Sequence, residues 1–440
     1  MISNLFLKYI QFNKCSLRAA IKENHMSKLS LDKNNQRALV AAIVASGTDD
    51  LNVMFLAFSM SSIISELGIS GTQGGWIATI TNLGMLVGGL IFGLLADRYH
   101  KFKVFKWTIL IFSLATGLIF FTKDVNYLYI MRFIAGMGVG GEYGVAIAIM
   151  AGIVPPEKMG RISSLNGIAG QIGSITSALL AGWLAPALGW RGLFLFGLAP
   201  IALVLWMALA IDDQNIRDDG GAKVEEETTQ PVKISQLFKT PALTSQTIAL
   251  MVMTTVQIAG YFGMMNWLPT IIQTSLNISV NDSSLWMVAT ILGMCLGMLT
   301  FGQILDKWGP RVVYSSFLLA SSVCVYLFQF ANSMATMVIG GAVVGFFVNG
   351  MFAGYGAMIT RLYPHQIRST ANNVILNVGR AIGGFSSVII GKILDISGVS
   401  TVMIFLASLY LISLAALWTI GNLKSDIYQD LGQGLEAEKA

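Results

Sequence analysis

Residues 93–103, GLLADRYHKFK, decide the fold, because they end a long apolar run with a cluster of charges. A weaker copy, GQILDKWGPR, occupies residues 302–311. The copies begin at Gly93 and Gly302, an offset of 209 residues in a chain of 440. A charged turn that follows an apolar run and returns half a chain later indicates two related halves.

The composition indicates an all-α polytopic membrane protein. Hydrophobic residues make up 54% of the chain and charged residues 12%, and the mean hydropathy is +0.67. A soluble protein has about 25% charged residues. The apolar runs are continuous over ~20 residues, as membrane helices require, which excludes the short alternating strands of a barrel. The three scattered cysteines have no disulfide or metal spacing, so we expect neither metal nor cofactor.

The apolar runs predict about twelve spans in two bundles of about six helices each. Their approximate ranges are 38–64, 73–95, 104–121, 127–152, 163–187, 192–211, 246–273, 284–305, 312–330, 333–360, 369–392 and 401–422. The predicted organisation is an N-terminal segment at 1–37, a first bundle at 38–211, a linker at 212–245, a second bundle at 246–423 and a tail at 424–440. A short interfacial helix is predicted at 234–238. Met26 resembles an ordinary start, so residues 1–25 are either an over-extended start or a tail.

The distribution of basic residues predicts the orientation. The chain has 28 Lys and Arg residues. All except Lys123, Arg132, Arg191, Arg380 and Lys392 lie in the terminal segments, the linker or the loops that follow even-numbered spans. Because basic loops stay in the cytoplasm, both termini and the linker are predicted to be cytoplasmic, in a protein of the cell membrane. This distribution also explains the net charge of +5 without a nucleic-acid partner.

The charged turns are predicted to form a cytoplasmic gate. Gly93 is expected to permit close helix contact, and Asp97 to face a helix N-terminus or pair with a basic neighbour. The alternative is a basic loop that only fixes topology. The candidate gate residues are Gly93, Asp97, Arg98, Lys101, Gly302, Asp306, Lys307, Arg311, Arg161 and Arg368.

Over residues 37–423 the chain resembles the major facilitator superfamily. The signature of that family is G-x-x-x-D-R-x-G-R-R/K, and residues 93–103 match it except at His100 and Phe102. Residues 132–143, RFIAGMGVGGEY, and 362–371, LYPHQIRSTA, resemble the metabolite/aromatic acid:proton symporter branch. The resemblance implies two bundles around a central cavity that opens alternately to each side, and a small organic acid as substrate.

Charges inside the spans are candidate functional groups, because an ionisable group at bilayer depth is costly. Asp49 lies about 17 Å into the first span, and Asp50 is rotated from it by about 100°. Glu142 is a candidate proton carrier, since burial disfavours the ionised form of a carboxyl group. Arg380, about 16–20 Å into its span, is suited to bidentate capture of a carboxylate. The alternative is a fixed ion pair of Arg380 with Asp49, Asp50 or Glu142.

Arg132 is either a binding residue or a structural anchor. Other polar side chains are candidates to complete a pocket, although each is individually more typical of an interhelical hydrogen bond. These candidates are Gln171, Gln257, Tyr261, Tyr355 and Asn377.

The sequence therefore predicts a secondary active transporter, not an enzyme, that couples uptake of a small organic anion to protons. A monocarboxylate or aromatic acid is the expected substrate. We expect a monomer whose partners are the substrate, the proton and the bilayer. The alternative is a transporter of a neutral or zwitterionic solute, such as a sugar or osmolyte, or a drug exporter, with Arg380 paired internally. A membrane enzyme or a sensor is disfavoured, since the chain has no intramembrane histidine and no large soluble domain.

Overall fold

The computed structural model describes residues 31–154, 156–216, 234–276, 280–331, 333–364 and 367–423. The first bundle consists of α1 (Lys33–Leu67), α2 (Gly71–Arg98), α3 (Lys101–Leu118), α4 (Val125–Ile153), α5 (Pro156–Leu195) and α6 (Pro200–Ala210). The second consists of α7 (Pro241–Leu276), α8 (Val280–Phe328), α9 (Met334–Gly350), α10 (Phe352–Leu362), α11 (Arg368–Gly383) and α12 (Ser386–Thr419). The predicted short helix is present as a 3₁₀ turn at Ile234–Phe238.

Ten segments of the described chain are long and apolar enough to cross a membrane. Elements α5, α8 and α12 each hold two predicted spans, which meet at Gly189 (φ 67°), Gly309 (φ 75°) and Gly398 (φ 76°). Only glycine readily adopts this left-handed backbone, so each turn follows a helix with no intervening loop. The twelve-span, two-bundle architecture predicted from the sequence is confirmed.

Two predicted spans are interrupted rather than continuous. The tenth breaks at Met351, between α9 and α10, and the eleventh breaks at Gly384 and Phe385, between α11 and α12. Apolar composition cannot reveal such breaks, because both halves of each span are equally suited to lipid.

Glycines bring α2 and α4 into backbone contact. A Cβ atom on Gly88 would lie 1.9 Å from the carbonyl oxygen of Met137, and one on Gly140 would lie 2.0 Å from that of Met85. Gly138 of the same motif faces α3, where its Cβ would lie 2.6 Å from Phe112. The glycine-rich run at 136–141 therefore packs α4 on two sides, as small residues do in membrane helices.

The second bundle repeats this contact between α8 and α9. A Cβ on Gly293 or on Gly297 would lie 2.1 Å from the carbonyl oxygen of Ala342 or of Phe346, respectively. Gly293 and Gly297 follow Gly84 and Gly88 by 209 residues, the same offset that separates the two charged turns. The duplication therefore extends from the turns to the packing of the helices before them.

We call the face that carries Arg98 and Arg311 the basic face, and the face with the turns at Gly68, Gly189 and Gly398 the opposite face. A cluster of buried apolar side chains joins the two bundles; its first-bundle members lie near the opposite face, and its second-bundle members extend through the depth of that bundle. Its members include Met54, Phe58 and Ile77 of the first bundle and Met264 and Trp267 of the second.

A second apolar cluster, with Ala38, Phe105 and Ile149, lies in the first bundle near the basic face. Between the two clusters, α1 and α4 place buried Asp49 and Glu142. The apolar core of the first bundle is therefore interrupted at mid-depth by carboxyl groups.

Candidate functional site

Asp49 on α1 and Glu142 on α4 form a buried carboxyl pair at mid-depth. Asp49 is 6% exposed and Glu142 is fully buried, and the two carboxyl groups are within hydrogen-bonding reach of each other. Neither oxygen of Glu142 receives a hydrogen bond from the described residues, and Oδ1 of Asp49 receives none. Two ionised carboxylates can only accept hydrogen bonds, so the pair has no hydrogen bond between its members unless one of them carries a proton.

Asp50 points away from this pair, as the helical rotation predicts. Its Oδ2 atom lies against α5, where a Cβ atom on Gly170 would be only 2.2 Å away. Tyr261 of the second bundle is close enough to interact electrostatically with Asp50. The two neighbouring aspartates therefore face different helices, and only Asp49 pairs with Glu142.

Arg380 reaches across the space between the bundles. Its guanidinium carbon lies 5.8 Å from the centre of the Tyr143 ring on α4. Both side chains are exposed. Because they come from opposite bundles and meet at mid-depth, the space that they line between the bundles is open. No carboxylate of the described residues forms an ion pair with Arg380, which contradicts the predicted alternative of a fixed pair with Asp49, Asp50 or Glu142.

Arg132 is 2% exposed and lies on α4 nearer the opposite face. Its Nε atom donates a hydrogen bond of 3.1 Å to Thr81 Oγ1 on α2. The guanidinium lines a narrow cavity between the bundles together with Asn82 and Asn266. Arg132 is thus a buried cation, and among the described residues no carboxylate forms an ion pair with it.

The remaining polar candidates divide into two groups. Gln257 and Tyr355 are each 1% exposed inside the second bundle, where Gln257 Nε2 donates to the carbonyl of Val348 at 2.8 Å. Gln171, Tyr261 and Asn377 are partly exposed. The structure therefore brings Tyr261 near Asp50 but places Gln257 and Tyr355 in interhelical packing.

The bundles are in direct backbone contact at the opposite face. A Cβ atom on Gly75 of α2 would lie 2.3 Å from the carbonyl oxygen of Ser387, and one on Gly391 would lie 2.1 Å from that of Gly71. Thr79 Oγ1 also donates to the carbonyl of Gly384 at 3.0 Å. These contacts join α2 of the first bundle to the α11–α12 segment of the second.

Asp395 of α12 caps the N-terminus of α2 across this contact. Its carboxylate accepts hydrogen bonds from Gly71 N at 2.7 Å, Thr72 N at 2.8 Å and Thr72 Oγ1 at 2.7 Å. A carboxylate is favoured at the positive end of a helix, so this contact stabilises the closed arrangement of the opposite face. We refer to the Asp395–Gly71–Thr72 contact as the clasp.

The predicted gate residues lie at the basic face. A Cβ atom on Gly93 or Gly302 would meet no atom within 4 Å, so the prediction that Gly93 permits close helix contact is wrong in this conformation. Arg98 and Lys307 are exposed, and Arg311 donates to the carbonyl of Ile420 in its own bundle at 3.3 Å. The side chains of Asp97, Arg161, Asp306 and Arg368 lie outside the described set, so their pairing stays a prediction.

The sequence profile of the Major Facilitator Superfamily matches residues 42–274 and 250–431. The chain belongs to the Major Facilitator Superfamily. A protein of Haemophilus influenzae named for metabolite transport is 34% identical over 392 residues, which cover 88% of this chain and 96% of that protein. The cis,cis-muconate transport protein of Acinetobacter baylyi is 27% identical over 368 residues, covering 79% of this chain and 87% of that protein.

Solved structures of other proteins share this fold. A bacterial homolog of the human lysosomal transporter Spinster, in an inward-facing and occupied conformation, matches with a TM-score of 0.75 and 14% identity. The match covers 90% of this chain and 99% of that one and shows the fold alone. The predictions of an integral membrane transporter with a small-molecule substrate, and not an enzyme, are confirmed.

Sequence reasoning missed several residues of this superfamily member. The sequence does not distinguish Tyr143 from the rest of its glycine-rich motif, and Asn82, Thr72 and Asp395 are not among the predicted site residues. Asn82 had a recognisable signal, because a Thr-Asn pair interrupts the apolar run of α2. Asp395 had a weaker one, since one carboxylate at a span end is also typical of a solvated loop.

Proposed function

We propose that this transporter takes up a small organic carboxylate together with protons by alternating access. The basic face would lie in the cytoplasm of a cell-membrane protein with cytoplasmic termini, as the distribution of Lys and Arg predicts. The protein would act as a monomer, since each bundle interface needed for the cavity lies within one chain. In this orientation the clasp closes the outside.

One observation carries the proposal: Glu142 and Tyr143 are consecutive residues of α4. Glu142 belongs to the buried carboxyl pair, and Tyr143 lies beneath the Arg380 guanidinium. The proton-binding group and the ring that contacts the anion-binding group are thus adjacent on one helix. A movement of α4 relative to α11 changes the surroundings of both.

The chemistry of the two groups is complementary. An exposed guanidinium without a carboxylate partner binds an organic carboxylate by two parallel charge-assisted hydrogen bonds. The pair of Asp49 and Glu142 cannot be doubly ionised in a buried site without a large cost, so it holds a proton. A substrate anion nearby further favours the protonated pair, which couples the two binding events.

The neutral-solute alternative has less support. It requires Arg380 to be satisfied by an internal acid, and the described carboxylates do not pair with it. The muconate-transporting relative carries an organic acid, in agreement with an anionic substrate for this chain.

Uptake of radiolabelled benzoate and adipate into proteoliposomes would test the proposal. Arg380→Gln is expected to weaken binding about 30-fold or more, because the anion loses its charged partner. Asp49→Asn is expected to abolish accumulation driven by a proton gradient while exchange of substrate continues. Lys392→Gln, which removes an exposed cation from the same predicted span, is the matched control. Unchanged affinity in Arg380→Gln together with unchanged coupling in Asp49→Asn would refute both assignments.

A further inference from the structure

The narrow cavity beside Arg132 lies between the bundles, nearer the opposite face than Arg380. Its polar lining comes from Thr81, Asn82, Arg132 and Asn266, and side chains including Val53 and Phe262 supply its apolar walls. The empty space is ≈ 180 Å³ when the open mouth is included, but the enclosed part has room for only about one water molecule. A single carboxylate group at the mouth suits this space, whereas a whole organic molecule does not.

Two residues that line the cavity, Arg132 and Asn82, have hydrogen-bond donors with no acceptor among the described residues. Arg132 is 2% exposed, and its single described hydrogen bond uses Nε, which leaves the other guanidinium nitrogens for a ligand. The Nδ2 atom of Asn82 is buried without an acceptor in the described residues. A buried unpaired cation is strongly unfavourable, so this arrangement is suited to an anionic group that enters from outside the chain.

The cavity and Arg380 lie at two depths of one interface. Arg132 and Tyr143 are separated by eleven residues of α4, which corresponds to about 16 Å of helix. Arg380 lies over Tyr143. Asn82 lies between the depths of Arg132 and Arg380. A Cβ atom on Gly384 would be 3.4 Å from Asn82 Nδ2, and Gly384 is one helical turn from Arg380.

We propose that the substrate is a dicarboxylate, with one carboxylate on Arg380 and the second on Arg132 and Asn82. This inference rests on the proposed function, and it differs from the monocarboxylate expected from the sequence. Because Arg132 and Tyr143 are about 16 Å apart along α4, a substrate that reaches both arginines needs an extended chain of several carbons between its carboxylates.

Charge also favours a second anion over a neutral acceptor. Arg132 is always protonated, and a planar guanidinium matches the two oxygens of a carboxylate. A water molecule in the cavity would satisfy a donor but not the charge. The apolar walls from Val53 and Phe262 suit the carbon skeleton between the two ends.

Competition binding on the purified protein, with adipate, hexanoate and succinate as probes, tests the inference. Adipate and hexanoate have the same length and differ by one carboxylate, and succinate has two carboxylates too close together to bridge the arginines. We expect adipate to bind at least about tenfold more tightly than hexanoate, and succinate to show no such advantage.

Asn82→Asp supplies an internal carboxylate beside Arg132 and is expected to remove the advantage of adipate over hexanoate. Asn126→Asp, at an exposed position at the start of α4, adds the same charge elsewhere and should leave the ratio unchanged. Arg132→Lys is a second variant for the case that Asn82→Asp does not fold, and it is expected to reduce the ratio of adipate to hexanoate affinity.

Equal binding of adipate and hexanoate, both dependent on Arg380, would overturn this inference and leave the proposed function intact. Loss of dependence on Arg380 would overturn the proposed function itself.

Discussion

At the opposite face the bundles are held by backbone contacts and the clasp, whereas at the basic face Gly93 and Gly302 have open space around them. Glycine thus has different surroundings at the two faces. Gly75 and Gly391 are sites where a methyl group cannot fit, and Gly93 and Gly302 are sites where it can. In this conformation the bundles are in backbone contact at the opposite face, whereas Gly93 and Gly302 make no such contact at the basic face.

The comparison also limits the strength of the closed side. Under the proposed alternating access every contact that closes must also open, so we expect the clasp to contribute only a small free energy. One exposed carboxylate at a helix N-terminus contributes about 0.3–1 kcal/mol, which fits a contact that is broken in each cycle.

The largest effect is expected from Gly75→Ala. Its methyl group would lie 2.3 Å from the carbonyl oxygen of Ser387, so the opposite face cannot close fully and uptake should be abolished. The reporter is Ala78→Cys, a buried position on α2, labelled from outside by an impermeant maleimide after Cys15, Cys295 and Cys324 are replaced. Labelling should rise strongly.

Gly144→Ala is the matched control, because a Cβ atom there meets nothing within 4 Å. Both substitutions raise helix propensity by about 1 kcal/mol, so their difference isolates the contact. Normal uptake in Gly75→Ala would mean that the backbone contact between α2 and α12 is not part of the transport cycle.

A smaller effect is expected from Asp395→Asn. Loss of the charge should weaken closure by about 1 kcal/mol, which corresponds to about fivefold more labelling of the reporter at equilibrium. Asp124 is a matched carboxylate cap, but it binds Asn126 N at 2.9 Å and Tyr127 N at 3.0 Å in its own helix. Asp124→Asn should therefore lower thermal stability without changing the labelling, and equal labelling in the two variants would argue against the clasp.

The smallest effect is expected from Gly93→Ala. Because no neighbouring atom opposes the methyl group, thermal stability should be unchanged or rise by up to about 1 kcal/mol. Differential scanning fluorimetry and uptake would be measured on the same preparation. A large fall in uptake with unchanged stability would show that Gly93 enters close contact when the basic face closes.

The sequence was sufficient for the architecture but not for the state of the interface. Apolar runs of membrane length, the two charged turns and the basic loops predict the spans and their duplication, because lipid imposes length and burial on each span separately. The contact role predicted for Gly93 was wrong here because composition does not tell which side of the interface is closed.

The site was only partly predictable for a related reason. Asp49, Glu142 and Arg380 could be selected singly, since each is an ionisable group at bilayer depth. That Asp49 pairs with Glu142, while Arg380 pairs with no described carboxylate, depends on the rotation of three helices that are far apart in the chain. Asn82 escaped notice because amide side chains in membrane helices commonly hydrogen-bond to neighbouring helices.

The backbone contacts between α2 and α4, and between α8 and α9, have a consequence for engineering. Helix pairs in which a glycine packs against a carbonyl oxygen tolerate almost no substitution at the contact. We call these two duplicated helix pairs the fixed frames. Variation that alters cargo is then confined to side chains that face the gap between the frames. A directed-evolution library that spares Gly84, Gly88, Gly293 and Gly297 and randomises gap-facing positions should contain far more folded members than one spread evenly over the chain.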